Sequence, residues 1–323
     1  MTALVKMQRT MLAAAALALL PLAARGDPPA SPPATGAPPA QQCPLLLTAS
    51  LPMRTEPDGE IAVPASVDGR AIQLAVDTGD IHTVLSGAIA NELQLERSIS
   101  AEFYELMGGV PLYELAYAHS FKLGNLAAGR FGFLVAPPSA LHTDTGGLLG
   151  PDVMSNYDVE FDFAHAKFNL FSQEHCPGHV VYWTSGAYVQ APIHVDKFWH
   201  VSTSVALDGK PITALIDSGA DRSTMSLAMA KSLFGIEESN PAMQKMEGVS
   251  VNGTADTAMY RYPFAKLTLE GVEVRNPDID LLPESVYGKG APDLVLGVSI
   301  LRQLRLYIAY KEQVLYATPA EAQ

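Results

Sequence analysis

Short apolar or alternating runs recur between turn signals at Ile72–Val76, Phe131–Val135, Val159–Phe163, Phe168–Phe171, Val201–Leu207, Ile212–Ile216, Leu267–Leu269 and Leu306–Tyr310. Runs of this length, rich in β-branched and aromatic residues, predict strands. Helical spacing is confined to Ser86–Leu93 and Ser226–Leu233, where Ser stands at the N-cap position and apolar residues recur four apart; short helical turns follow Gly150 and Gly297. The pattern predicts a mostly β protein with few, short helices.

The pattern also occurs twice. Asp68-Gly69-Arg70-Ala71-Ile72-Gln73-Leu74-Ala75-Val76 leads into Asp77-Thr78-Gly79, and Asp208-Gly209-Lys210-Pro211-Ile212-Thr213-Ala214-Leu215-Ile216 leads into Asp217-Ser218-Gly219, at a constant offset of 140. Pro52 matches Pro192 in the same register, and Leu85, Ile89 and Leu93 match Met225, Met229 and Leu233. Met107-Gly108-Gly109-Val110 answers Met246-Glu247-Gly248-Val249 at 139, whereas Leu148-Leu149-Gly150 answers Val295-Leu296-Gly297 at 147, which implies a loop insertion near Asn252-Gly253-Thr254. Two copies at so long a period predict a duplicated pair of lobes; solenoids repeat at shorter periods.

A lone Asp-Thr-Gly is ordinary turn chemistry. A D-[TS]-G entered from an apolar run and followed about seventy residues later by two apolar residues and Gly, twice in one chain, resembles the aspartic peptidases, over roughly residues 50–317. Asp217-Ser218-Gly219-Ala220-Asp221 and the short halves are closest to the retropepsin-like branch in single-chain form. The resemblance implies an all-β fold of two pseudo-twofold-related β-barrel lobes of the acid-protease type with short helices. It implies that Asp77 and Asp217 are catalytic, one from each lobe, and that Thr78, Gly79, Ser218 and Gly219 support the two active-site turns. Each apolar-apolar-Gly segment then packs against the turn of its own lobe. Met107, Gly108, Gly109, Met246 and Gly248 fall where flap hairpins close over substrate; Gly suits a hinged tip, but an ordinary surface hairpin needs it too. Tyr104 is the candidate flap tyrosine, at a spacing shorter than in pepsin-like chains.

The chemistry this implies is endopeptidase cleavage of a peptide or protein substrate by a water activated between two carboxyl groups sharing one proton, with no metal and no organic cofactor. Asp80 departs from the usual Ala or Ser and adds a third carboxylate, with His82 two residues on; Val298-Ser299 replaces the Asp-containing turn Gly150-Pro151-Asp152 of the first half. Two alternatives stay open: a non-catalytic peptide-binding module that keeps the cleft, and a glycosidase using the same two carboxylates.

Lys6 and Arg9 ahead of the apolar run Met11–Leu22, then Ala24-Arg25-Gly26, predict a signal peptide at 1–26. A Pro/Ala-rich linker follows at 27–42, then an N-terminal lobe at 43–180 and a C-terminal lobe at 181–323. Residues 1–26 carry Lys6, Arg9 and Arg25 and no acid, so their removal takes the net charge from −13 to −16. So acidic a chain argues against nucleic-acid binding. No later run approaches the roughly 20 apolar residues of a membrane helix, so the mature chain is expected to have no membrane span and to be exported, periplasmic or secreted, as a monomer. Cys43 and Cys176 are the only cysteines, and in an exported protein they predict a disulfide; the competing reading is a metal site at His175-Cys176-Pro177-Gly178-His179.

Overall fold

The computed structural model describes residues 43–56, 59–106, 110–137, 141, 145–249, 257–284 and 292–320. All eight predicted strands are present, several starting a residue or two earlier than the apolar pattern: Arg70–Val76, Phe131–Ala136, Asp158–Asp162, Lys167–Phe171, Val201–Leu207, Lys210–Ile216, Lys266–Leu269 and Leu304–Ala309. The helices are Gly87–Glu92, Pro151–Met154, Leu227–Phe234 and Val298–Leu301 among the described residues. Ser86 Oγ accepts from the Ile89 amide (3.2 Å) and Ser226 Oγ from the Met229 amide (3.0 Å), satisfying otherwise orphaned helix N–H groups.

One Asp-Gly pair makes a tight hairpin in each half. Asp68 and Gly69 (φ 47° and 83°) join Ile61–Val67 to Arg70–Val76, and Asp208 and Gly209 (φ 46° and 78°) join Val201–Leu207 to Lys210–Ile216. Two positive φ values in a two-residue loop match the twist of the strands they connect, which is why Asp-Gly is the short hairpin signal. Both Asp side chains then reach a neighbouring strand. Asp68 Oδ1 accepts from Ser120 N (2.7 Å), and Asp208 Oδ1 from Ala265 N and Lys266 N (2.9 and 2.8 Å).

The first half builds a ten-stranded sheet whose path runs from Glu96–Leu106 through Val110–Ala118, Phe131–Ala136, Val84–Ser86, Gly147–Leu149, Arg70–Val76, Ile61–Val67 and Phe121–Leu123 to Leu126–Ala128. The second sheet has fifteen strands and draws on both halves. Leu47–Pro52, Lys167–Phe171 and Asp158–Asp162 from the first half pair on to Leu304–Ala309, Val314–Pro319 and Val189–Val195 from the second. The chain is mostly β, as expected for lobes of the acid-protease type, and among the described residues both strand orders are open paths with no closed barrel.

Along Asp158–Asp162 all five residues are buried, the acids included. Burying Glu160 is tolerable only because it is fully partnered. Arg305 Nε donates to its Oε1 (2.9 Å), while Tyr182 OH (2.7 Å) and Asn169 Nδ2 (2.6 Å) donate to Oε2. Nearby, Cys43 and Cys176 form a disulfide. That removes Cys176 as a metal ligand. His175 is buried between Asp158 (Nε2 to Oδ2, 2.6 Å) and Glu312 (Nδ1 to Oε1, 3.3 Å), so the sequence around it serves burial and pairing.

Candidate active site

Each Asp of interest sits at the end of an apolar strand, where the chain must turn sharply. Val76 and Ile216 are buried, and their strands pair in parallel with the apolar-apolar-Gly segments of the same half: Leu148 and Leu149 lie opposite Ala75 and Val76, and Val295 and Leu296 opposite Leu215 and Ile216. The backbone amides of Asp77 and Asp217 donate to Leu149 O and Leu296 O, both at 3.0 Å. The two turns are then closed by their own carboxylates. Asp77 Oδ1 accepts from the amides of Gly79 (2.9 Å) and Asp80 (3.0 Å), and Asp217 Oδ1 from those of Gly219 (2.9 Å) and Ala220 (3.2 Å).

Thr78 and Ser218, both fully buried, link the turns across the halves. Thr78 Oγ1 donates to Ile216 O (2.8 Å) and accepts from the Ser218 amide (2.9 Å); Ser218 Oγ donates to Val76 O (2.6 Å) and accepts from the Thr78 amide (3.1 Å). The four bonds form a closed reciprocal set. They set the carboxylate of Asp217 against Gly79 and that of Asp77 against Gly219, which brings the two acids side by side. Glycine is obligatory at 79 and 219: a Cβ on either would overlap the carboxylate of the opposite Asp.

Burial pushes the Asp217 carboxyl up to about 8, helped by the charge of Asp77 and opposed by the Gly219 and Ala220 amides. Burial also raises Asp77, against the Gly79 and Asp80 amides, its bond to Asp217, and His200. Two acids this close cannot both ionise cheaply, so the pair holds a proton well above the usual carboxylate range.

Around this centre lie groups the sequence flagged and groups it did not. Asp80 is largely withdrawn from solvent and pushed up to about 7 by burial and by the charge of Asp77. His82 pairs with Asp152 (Nδ1 to Oδ2, 3.5 Å) and stands edge-on to Tyr104, ring centroids 4.6 Å apart. Its hydrogen bond to Asp152 raises its pKa. Tyr104 thus meets the active-site turn through His82, and its hydroxyl donates to Glu102 (2.8 Å). Asp152 Oδ1 accepts from Thr83 N (2.9 Å) and Thr83 Oγ1 (2.7 Å), and that hydroxyl accepts from Gly150 N. In the second half Ser299 Oγ accepts from Ser223 N (3.1 Å) and Gly297 N donates to Ser223 Oγ (3.0 Å). The exchange of Asp152 for Ser299 changes the charge and keeps the geometry. His200 is the participant the sequence did not reveal: its Nε2 lies 3.2 Å from Asp80 O and its Nδ1 3.1 Å from Asp196 Oδ2.

Of the flap candidates, Met107, Gly108 and Gly109 lie outside the described residues, as do Asn252, Gly253 and Thr254. Glu96–Leu106 and Val110–Ala118 pair antiparallel up to Leu106 and Val110. Met246 stands opposite Met259, and Gly248 lies within the strand Gln244–Val249 and not at a hinged tip. The register shifts between Met246 and Val249, an irregularity at which Gly is favoured.

Residues 203–300 match the aspartyl protease family, and residues 63–156 match the gag-polyprotein aspartyl protease family, one D-[TS]-G turn falling in each segment. The chain is a retropepsin-like aspartic peptidase. No curated protein matches it. As an aspartic-type hydrolase the peptidase acts on peptides, and neither the binding-module nor the glycosidase alternative draws support from these matches. No helix among the described residues is long and apolar enough to cross a membrane.

Proposed function

We propose that the peptidase cleaves internal peptide bonds with Asp77 and Asp217 as one catalytic unit. The observation that carries this is the packing of each Asp carboxylate against the glycine of the opposite turn, with both carboxyls raised above the ordinary range. In the singly protonated pair, the charged member takes a proton from a water as that water attacks the scissile carbonyl carbon. The protonated member hydrogen-bonds the carbonyl oxygen and stabilises the tetrahedral intermediate. Collapse of the intermediate breaks the C–N bond and returns a proton to the departing nitrogen. The pair titrates as a unit, so the roles belong to the dyad and not to one Asp.

The hairpins Glu96–Leu106/Val110–Ala118 and Gln244–Val249/Thr257–Arg261 are the elements we assign to covering the substrate, supported by the contact between Tyr104 and His82 beside Asp80. The halves at 43–180 and 181–323 are read as duplicated lobes, on the matching turns, caps and Asp-Gly hairpins. Export is proposed from the basic-then-apolar residues 1–26 together with the Cys43–Cys176 disulfide, a bond that persists in oxidising compartments.

The test is turnover of a diverse peptide mixture between pH 3 and 8, read by mass spectrometry, with Asp77→Asn, Asp217→Asn and the double variant. Each is expected to lose activity on the order of 10⁴-fold or more, the double no worse than the singles, because members of one catalytic unit are not additive. Near-normal turnover in either single variant would rule out the dyad.

A further inference from the structure

Asp80 occupies an unusual place for a carboxylate. Its amide donates to Asp77 Oδ1 (3.0 Å), which fixes its backbone directly against the reacting pair. Its own Oδ1 accepts from the next amide, Ile81 (2.6 Å). Its Oδ2 is buried and has no hydrogen-bond partner among the described residues. A buried carboxylate oxygen without a donor costs on the order of 1–3 kcal/mol or more, and an alanine would remove that cost. Asp77 and Asp217 close both turns, and the Asp80 side chain adds to the loop only the single bond from Ile81, which leaves Oδ2 unused.

The groups that face it come from every neighbouring element. Asp77 and, through it, Asp217 lie on the catalytic side. His82 follows on the same loop, paired with Asp152 from the helix Pro151–Met154 and packed against Tyr104, itself bonded to Glu102, on the strand Glu96–Leu106. His200, paired with Asp196, approaches from the second half and reaches the Asp80 carbonyl. Asp80 thus has Asp77 bonded to its amide, His200 at its carbonyl and His82 two residues on.

We propose that Asp80 is a third, proton-holding carboxyl of this site: a positioning residue whose negative charge keeps a proton on the Asp77–Asp217 pair and extends cleavage into the neutral range. This rests on the dyad reading above. The charge of Asp77 raises Asp80, and such an interaction is mutual, so an ionised Asp80 disfavours a second negative charge on the pair. Burial and the charge of Asp77 raise both Asp80 and Asp217 above the ordinary carboxylate range. With Asp80 ionised beside Asp77, the singly protonated pair survives to higher pH than two isolated carboxyls would allow. His82 opposes this by stabilising the Asp80 charge, and Asp152 works the other way.

The experiment is the pH dependence of kcat/KM from pH 4 to 9 for the full chain and for Asp80→Asn and Asp80→Ala, each profile scaled to its own maximum. Both variants are expected to lose activity earlier on the alkaline side, the limb moving about one pH unit toward acid, with the acid limb unmoved. An alkaline limb that stays in place in active Asp80→Asn overturns the proposal while leaving the dyad intact; an active Asp77→Asn overturns the dyad itself. Carboxyl ¹³C NMR titration of the unaltered protein supplies a measurement that needs no variant. Asp80 is expected to titrate in the neutral range, and an ordinary acidic midpoint would refute the role.

Discussion

Replacing Thr78 by Val tests whether the cross-linked turns are what joins the two halves at the site. Val keeps the branching and size of Thr and removes only the hydroxyl. The donation to Ile216 O (2.8 Å) and the acceptance from Ser218 N (2.9 Å) are both lost, leaving a carbonyl and an amide without partners where neighbouring residues are fully buried. Each orphaned group costs about 1–3 kcal/mol, so the pair costs about 2–6 kcal/mol, and the new methyl returns less than about 1 kcal/mol. Against a typical total of about 5–15 kcal/mol, that is a large share of the fold's stability. Equilibrium urea unfolding, followed by intrinsic fluorescence, reads it as a lower midpoint at unchanged slope. Ser218→Ala removes the reciprocal pair, at Val76 O and Thr78 N, and is expected to cost a similar amount. An unfolding free energy for Thr78→Val within about 0.5 kcal/mol of the unaltered protein would refute the reasoning, because water would then be satisfying groups taken to be dry.

Protein recovered from the exporting compartment is expected to begin at Asp27 and to carry Cys43 joined to Cys176, read by N-terminal sequencing and non-reducing peptide mapping; two free thiols would reject the bridge, and Cys43→Ser is expected to lower Tm because the bond closes a separation of 133 residues. Asp217→Asn is expected to raise Tm relative to the unaltered chain by an amount that grows from pH 4 to pH 8. The folded pKa of Asp217, about 8, lies above its unfolded value, so its contribution to stability is complete at acid pH and is lost as pH rises through that value. A Tm difference that does not change with pH would contradict that assignment.

The sequence carried the site's centre because each turn is built locally: Asp77 and Asp217 bond to amides two and three residues on and to the apolar-apolar-Gly segment of their own half, and only Thr78 and Ser218 reach across. Ser86 and Ser226 were legible as caps for the same reason. Strand starts were read late where a charged residue opens the strand or stands second in it, as at Asp158 and Arg305, since a charge in sequence looks like a boundary. Their burial depends on partners such as His175 and Glu160, far along the chain. His200 carried no signal, because its contact with Asp80 spans 120 residues and is made through a backbone carbonyl. The pairing of Asp158–Asp162 with Leu304–Ala309 was likewise hidden, because no local pattern encodes a partner so far along the chain.

That pairing also dictates an order of events during synthesis. Asp158–Asp162 lies between Lys167–Phe171 and Leu304–Ala309, and the second of these neighbours is among the last segments made. Until it emerges, the nascent first half exposes an unpaired strand edge carrying Glu160 and Asp162 without Arg305, their eventual counter-ion. Two bare carboxylates on an open edge repel a second such edge, which is how strand edges are commonly kept from joining the wrong chain. Charges that end in the interior of the finished fold thus guard its least protected intermediate, and a chain whose final pairings are this distant in sequence folds slowly enough to need the guard.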